Sequence, residues 1–159
     1  MQPGNETGLP SANATVRKYS VQDSEAVFEI SQRSPEAAHW AKQDYDRAVS
    51  SGQVILVAEV AGRVGGFLVA RVSSDEAEIL NIAVAHTNRR EGMGSALLAA
   101  AEAEARAEKA EHIYLEVRES NHAGIAFYAK HGFCQNGKRV GYYGDPPEDA
   151  VLMAKKLTG

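Results

Sequence analysis

Ile82-Ala83-Val84-Ala85-His86-Thr87-Asn88-Arg89-Arg90-Glu91-Gly92-Met93-Gly94-Ser95 carries the pattern on which the fold turns. An apolar run ends near Val84, two arginines and two glycines follow, and an amphipathic helix then sets Met93, Leu97, Leu98 and Ala101 on one side. The helix is expected over Gly92 to Glu108, and His112 to Val117 follows it as a strand. Strand, loop, helix and strand at this spacing predict a βαβ crossover, so the two strands should be parallel. A helix N-terminus offers unpaired N–H groups and partial positive charge, and glycine lets a diphosphate approach the backbone closely. Anion binding is the natural inference. The stretch is neither a Walker loop, which needs Gly-Lys-Ser/Thr, nor the GxGxxG dinucleotide fingerprint. The competing reading is a tight strand-to-helix turn beside solvated arginines.

Working outward from this loop, Glu76 to Val84 forms the strand before it. Val54 to Ala58 and Val64 to Val72 form a hairpin about Ala61-Gly62-Arg63. The three strands read as an antiparallel meander. Upstream lie a short strand at Thr15 to Tyr19, a helix from Asp23, and a second helix beginning at Ser34-Pro35 and ending near Ser51-Gly52. Downstream, a short helix runs from Asn121, a capping residue, to Gly132. Strands at Phe133 to Arg139 and Asp149 to Lys156 close the chain, with Gly141 to Pro147 between them as a loop by composition. The order is β-α-α-β-β-β-α-β-α-β-β, an α/β (α+β) fold with a mixed, mostly antiparallel sheet.

With 159 residues, 44% hydrophobic and 24% charged, the chain fits one compact domain over 15–159. No apolar run approaches the roughly 20 residues that span a bilayer, so no membrane role is expected. Met1 to Ala14 is polar, lacks the basic end and apolar stretch of a secretory signal, and reads as a loose tail. A formal charge of −4 argues against an electrostatic grip on nucleic acid and favours basic partners. Cys134 is the only cysteine, which excludes an internal disulfide and a CxxC pair and suits a reducing cytoplasm. It directly follows Gly132-Phe133 without a base partner and reads as a structural thiol. The five histidines lack metal-ligand spacing, so no metal is expected, and His122 and His131 read as helix-end residues.

Arg89, Gly92 and Gly94 match the Gln/Arg-x-x-Gly-x-Gly/Ala cofactor motif, and on these residues the chain resembles the GNAT superfamily of N-acetyltransferases. More narrowly it resembles the bacterial RimI type, the N-alpha-acetyltransferases of a ribosomal protein. The likeness runs from about Ala77 to Leu157, through Asn81-Ile82-Ala83-Val84, Leu115-Glu116-Val117-Arg118, Ser120-Asn121, Ala126-Phe127-Tyr128, His131-Gly132-Phe133 and Tyr142-Tyr143. Residues 15–76 match mainly in element order. The resemblance implies acetyl-CoA as cosubstrate and a splayed parallel strand pair. Ala83, Val84 and Ala85 would pair with the pantetheine arm. Arg89, Arg90, Glu91, Gly92, Met93, Gly94 and Ser95 would surround the pyrophosphate, and Asn121 would complete the site. Glu91 stands where relatives often carry Gln, placing a carboxylate beside a diphosphate.

Amide formation needs a neutral amine, attack on the thioester and a proton for the departing sulfur. Ile113, Leu115 and Val117 share one face of their strand, which leaves Glu116 as a carboxylate on the other. An edge or solvent-facing position would account for it equally well. RimI-type enzymes place their general base here and a tyrosine general acid in the following helix, which corresponds to Tyr128; an aromatic at that place otherwise reads as core. An N-terminal amine, with a pKa near 8, gives up its proton more readily than a lysine near 10.4. Tyr142 and Tyr143 would line the groove for a peptide N-terminus, or simply pack on the sheet. The resulting expectation is a cytoplasmic N-acetyltransferase, a monomer or homodimer, transferring directly in a ternary complex to a protein N-terminus such as a ribosomal one. A small-molecule amine acetyltransferase and a non-catalytic acyl-CoA-responsive binding module are the alternatives.

Overall fold

The computed structural model describes residues 14–38, 40–88 and 92–157. Residues 1–13 of the expected 1–14 tail, and Arg89, Arg90 and Glu91 of the loop, lie outside them. A seven-stranded sheet organises the chain: β1 (Thr15–Lys18), β2 (Val54–Val60), β3 (Arg63–Val72), β4 (Glu76–Val84), β5 (His112–Arg118), β6 (Cys134–Gly144) and β7 (Pro147–Lys156). Their spatial order is β1-β2-β3-β4-β5-β7-β6. Only the β4–β5 pair is parallel, as the crossover through the long helix requires. The helices are α1 (Ser24–Gln32), α2 (Lys42–Ser50), α3 (Met93–Ala107) and α4 (His122–Lys130).

Both faces of β2 and β3 are covered, which is why Val54-Ile55-Leu56-Val57-Ala58 is apolar throughout and does not alternate. Ile55, Val57, Phe67 and Val69 pack with Val27 and Tyr45 beneath α1 and α2. Leu56, Leu68, Ile113, Leu115, Val151 and Met153 pack on the opposite face with Leu97, Leu98 and Ala101 of α3. Tyr128 of α4 belongs to this second cluster.

Two expectations need correcting. The second helix does not begin at Ser34-Pro35. The Ser34 hydroxyl donates back to the Ile30 carbonyl at 2.8 Å, finishing the first helix, and α2 starts after Ala41, whose N–H donates to Asp44 at 2.8 Å. Residues 33–41 are therefore a connection, held to the sheet where Asn81 Oδ1 accepts the Ala38 N–H at 3.0 Å. The expected loop at Gly141 to Pro147 is also largely strand. The β6–β7 ladder shifts register between Arg139 and Tyr143 and resumes with Tyr143 opposite Glu148 and Gly144 opposite Pro147. An irregularity in the ladder thus takes up Val140 to Tyr142, and only Asp145 and Pro146 remain as the turn.

A second bulge shapes the centre of the sheet. Ala70 pairs with Ile79 and Val69 with Asn81, so Leu80 is an extra residue on β4. The parallel ladder with β5 ends at the same point, its last pair being Ile79 with Leu115. Beyond it β4 follows β3 while β5 follows β7, and the two strands part. The extra residue also switches the parity of β4. Ala77 and Ile79 face α3, whereas Ala83 joins the cluster under α1 and α2.

At Gly66, β3 lies close against β4 and α3. A Cβ there would meet the Ala83 carbonyl at 3.2 Å and Leu97 Cδ1 at 3.3 Å. Gly66→Val should therefore destabilise the protein by about 2 kcal/mol, through overpacking between β3, β4 and α3. Urea unfolding would show it as a lower midpoint with an unchanged slope.

Candidate active site

The parting of β4 and β5 opens two cavities that share a wall. One, of about 620 Å³, is lined by Ile82, Ala83 and Val84 of β4, by Gly92 to Ser95, and by Ala123, Gly124, Phe127, Tyr128 and His131 around α4. The other, of about 820 Å³, is lined by Pro35 to Ala38, Glu78 to Ile82, Leu115 to Arg118, and Tyr142 to Asp145. Glu36, Ile82, Asn121 and Tyr128 line both. The smaller cavity lies on the α3–α4 side; the larger is a groove on the side where Glu116 projects.

In the smaller cavity, Gly92 stands before α3 with φ +82°, a left-handed conformation that a side chain strains. The first bond within this helix runs from Ala96 N–H to the Gly92 carbonyl at 3.0 Å. The N–H groups of Met93, Gly94 and Ser95 therefore precede the helical ladder and crowd one end of the cavity. A Cβ at Gly94 would lie 3.2 Å from the Phe127 ring, so the glycine lets α4 pack close to the start of α3. These groups fit the diphosphate that the loop predicted. Met93 contributes backbone only, because its side chain is buried in the core. Ala85 is outside the lining, and its N–H donates to the Gly65 carbonyl at 2.7 Å. Asn121 caps α4 by accepting the Gly124 N–H at 2.9 Å, leaving its NH₂ as a donor at the junction of the cavities.

His131 acts on this wall in a way its position at a helix end did not suggest. Its Nδ1 lies 2.9 Å from the Phe127 carbonyl, which can only accept, so Nδ1 carries the proton. In the neutral ring Nε2 then accepts from the Ser95 hydroxyl, also at 2.9 Å. Ser95 and His131 are 36 residues apart, and no local pattern marks the pair.

On the groove side, Glu116 is the carboxylate of an otherwise apolar strand, 18% exposed at its side chain. Arg139 Nε lies 2.9 Å from its Oε2. The neighbouring Glu116 carboxylate raises the Tyr142 phenol above its ordinary pKa. Tyr143 is pushed up to about 12, by burial first and then by Glu116. Arg118 lies 4.3 Å from the centre of the Tyr143 ring and bonds Glu148 at 3.0 Å. Hydrogen bonds from Ser120, and then Arg118, hold Glu148 below the usual carboxylate range. Tyr128 is 8% exposed, between the rings of Phe127 and Phe133, and burial holds its phenol well above the ordinary pKa. It stays protonated throughout the neutral range. Arg118, Arg139 and Glu36 were not among the residues singled out from sequence. Cys134 is exposed at the start of β6, away from both cavities.

A sequence model of the acetyltransferase (GNAT) family matches residues 19–133. The chain belongs to this family. It is 34% identical over 148 residues to the [ribosomal protein bS18]-alanine N-acetyltransferase of Escherichia coli K12, covering 91% of this chain and 98% of that one. Among solved structures, Ard1 from Thermoplasma volcanium superposes with a TM-score of 0.85 at 34% identity, covering 92% of this chain and 99% of that one. Naa20 of Chaetomium thermophilum, in complex with a bisubstrate analogue, superposes at 0.79 with 28% identity, over 90% and 86%. GNAT acetyltransferases use acetyl-CoA. Among the described residues no group of three His, Cys, Asp or Glu side chains could hold a metal ion. Among them, too, no helix is long and apolar enough to cross a membrane.

In this GNAT chain Gly92 holds the left-handed conformation that precedes α3. Gly92→Ala should cost about 1 kcal/mol of stability and weaken acetyl-CoA binding about fivefold. Calorimetric titration with acetyl-CoA, paired with a thermal melt, measures both.

Proposed function

We propose that this acetyltransferase transfers the acetyl group of acetyl-CoA directly to the N-terminal α-amine of a protein, with both substrates bound together. The observation that carries this reading is the junction at Tyr128. A buried phenol lies on the wall shared by a channel ending at a helix N-terminus and a groove holding a carboxylate. The relatives named for acetylating the alanine of ribosomal protein bS18 support a protein N-terminus as acceptor, and a ribosomal protein as the specific substrate.

Acetyl-CoA supplies the acetyl group as a thioester; the new bond joins its carbonyl carbon to the amine nitrogen, and the carbon–sulfur bond breaks. In the protein, Glu116 accepts the amine proton, directly or through one water, and Tyr128 donates the proton that sulfur takes up. The N–H groups of Gly92 to Ser95, with Arg89 and Arg90, hold the pyrophosphate. The edge of β4 at Ala83 and Val84 holds the pantetheine arm, and Asn121 orients it at the junction. Tyr142 and Tyr143 flank the incoming peptide.

Incubation with acetyl-CoA and an N-terminal bS18 peptide should release free thiol and add one acetyl group to the peptide's first residue, located by fragment mass spectrometry. Thiol release with small amines alone would instead make the chain a small-molecule enzyme, and binding without release a regulatory module. Glu116→Gln and Tyr128→Phe should each lower kcat by about 100-fold or more. Because burial raises the Tyr128 pKa, its proton is present across about pH 6–9. The Tyr128→Phe loss should accordingly be uniform over that range, leaving the shape of the pH–rate profile unchanged.

A further inference from the structure

Arg139 has no part in the chemistry proposed above, yet it lies on the carboxylate that does. Its Nε is 2.9 Å from Glu116 Oε2, and its guanidinium carbon is 5.3 Å from the centre of the Tyr142 ring. The contact reaches across β7. Glu116 is opposite Leu152 and Arg139 opposite Ala150, two residues along, so both side chains rise from one face of the sheet. The Arg139 side chain is 58% exposed and that of Glu116 18%, so the cation covers the outer side of a carboxylate set in the groove. Among the described residues, the other charged or titratable groups of this groove are Glu36, Glu78, Arg118, Tyr128, Tyr142, Tyr143 and Asp145. Arg118 is committed to Glu148, and Glu78 to Arg71 at 2.7 Å. Among the described residues, Arg139 is thus the cation set against Glu116.

A bare carboxylate in a half-buried groove attracts an ammonium group and holds it as an ion pair. An ammonium has no lone pair and cannot attack a thioester. A guanidinium on Oε2 cancels much of that attraction and leaves Oε1 to accept a hydrogen from a neutral amine. We propose that Arg139 is a specificity-determining residue that makes the groove reject cationic amines, and so favours an α-amine over a lysine side chain. At pH 7 about one α-amine in ten is neutral, against about one lysine in 2,500. A groove that screens out ammonium preserves that difference, whereas a bare carboxylate would fill with unreactive cations. This inference rests on the reading of Glu116 as the base.

The test uses the full chain with acetyl-CoA, an N-terminal acceptor peptide, and the same peptide α-N-trimethylated, which keeps its charge and cannot react. In R139Q the inhibition constant of the trimethylated peptide should fall about fivefold, as expected for removing one charge near a partly exposed site. The gain should vanish in the E116Q/R139Q double variant and wild-type behaviour should return in R139K. Preference for the α-amine over an Nα-blocked lysine peptide, as a ratio of kcat/KM, should fall in R139Q. A merely structural role would not tighten binding of a cation. An unchanged or weaker inhibition constant in R139Q, or in R139M if R139Q melts early, overturns the role of Arg139 while leaving Glu116 as base. Near-normal turnover in E116Q overturns the base itself, and this inference with it.

Discussion

The parallel pairing of β4 with β5 holds as far as Ile79 and Leu115 and then ends, and the rest of the site depends on where it ends. The cause is local. Leu80 has no partner on β3, and the bulge it makes bends β4 just where β5 would otherwise have continued beside it. From there β5 is carried by β7 through Arg118 opposite Ala150, while β4 stays with β3 to its end. A gap between two well-supported strands is rigid on both sides. It can hold a ligand without either strand losing its own ladder.

The same bulge sets what borders the gap. Its parity switch points Asn81 towards residues 33–41, and the bond from Ala38 to Asn81 brings Pro35 to Ala38 over the groove. On the opposite face, Gly66 and Gly94 provide the close approaches that let α3 and α4 sit over the parted strands, with Tyr128 reaching the shared wall. The two cavities thus open on different sides of one sheet. They meet at the gap, where Ile82, Asn121 and Tyr128 line both.

Charge in the groove is arranged by pairing. Arg118 with Glu148 and Arg139 with Glu116 each place a guanidinium beside a tyrosine ring, so Tyr142 and Tyr143 are fixed by cations that are themselves held. The carboxylates of the lining outnumber its arginine, consistent with a site that receives an amine. Burial keeps Tyr128 neutral without a charged partner in contact, which leaves its proton available across the neutral range.

By itself, the sequence determined the element order, the parallel crossover, the helix N-terminus after a glycine-containing loop, the Asn121 cap, and the face on which Glu116 lies. These follow from residues within a few positions of one another: apolar periodicity, a capping side chain, a glycine where φ must be positive. Tertiary structure decided the bulge at Leu80, the return of Ser34 to α1, the extension of β6 through Tyr143, and the Ser95–His131 and Glu116–Arg139 pairs. Each depends on register between segments far apart in the chain. Register is set by backbone hydrogen bonds that every residue type but proline can make, so composition cannot show which residue will be the extra one or which two side chains will meet.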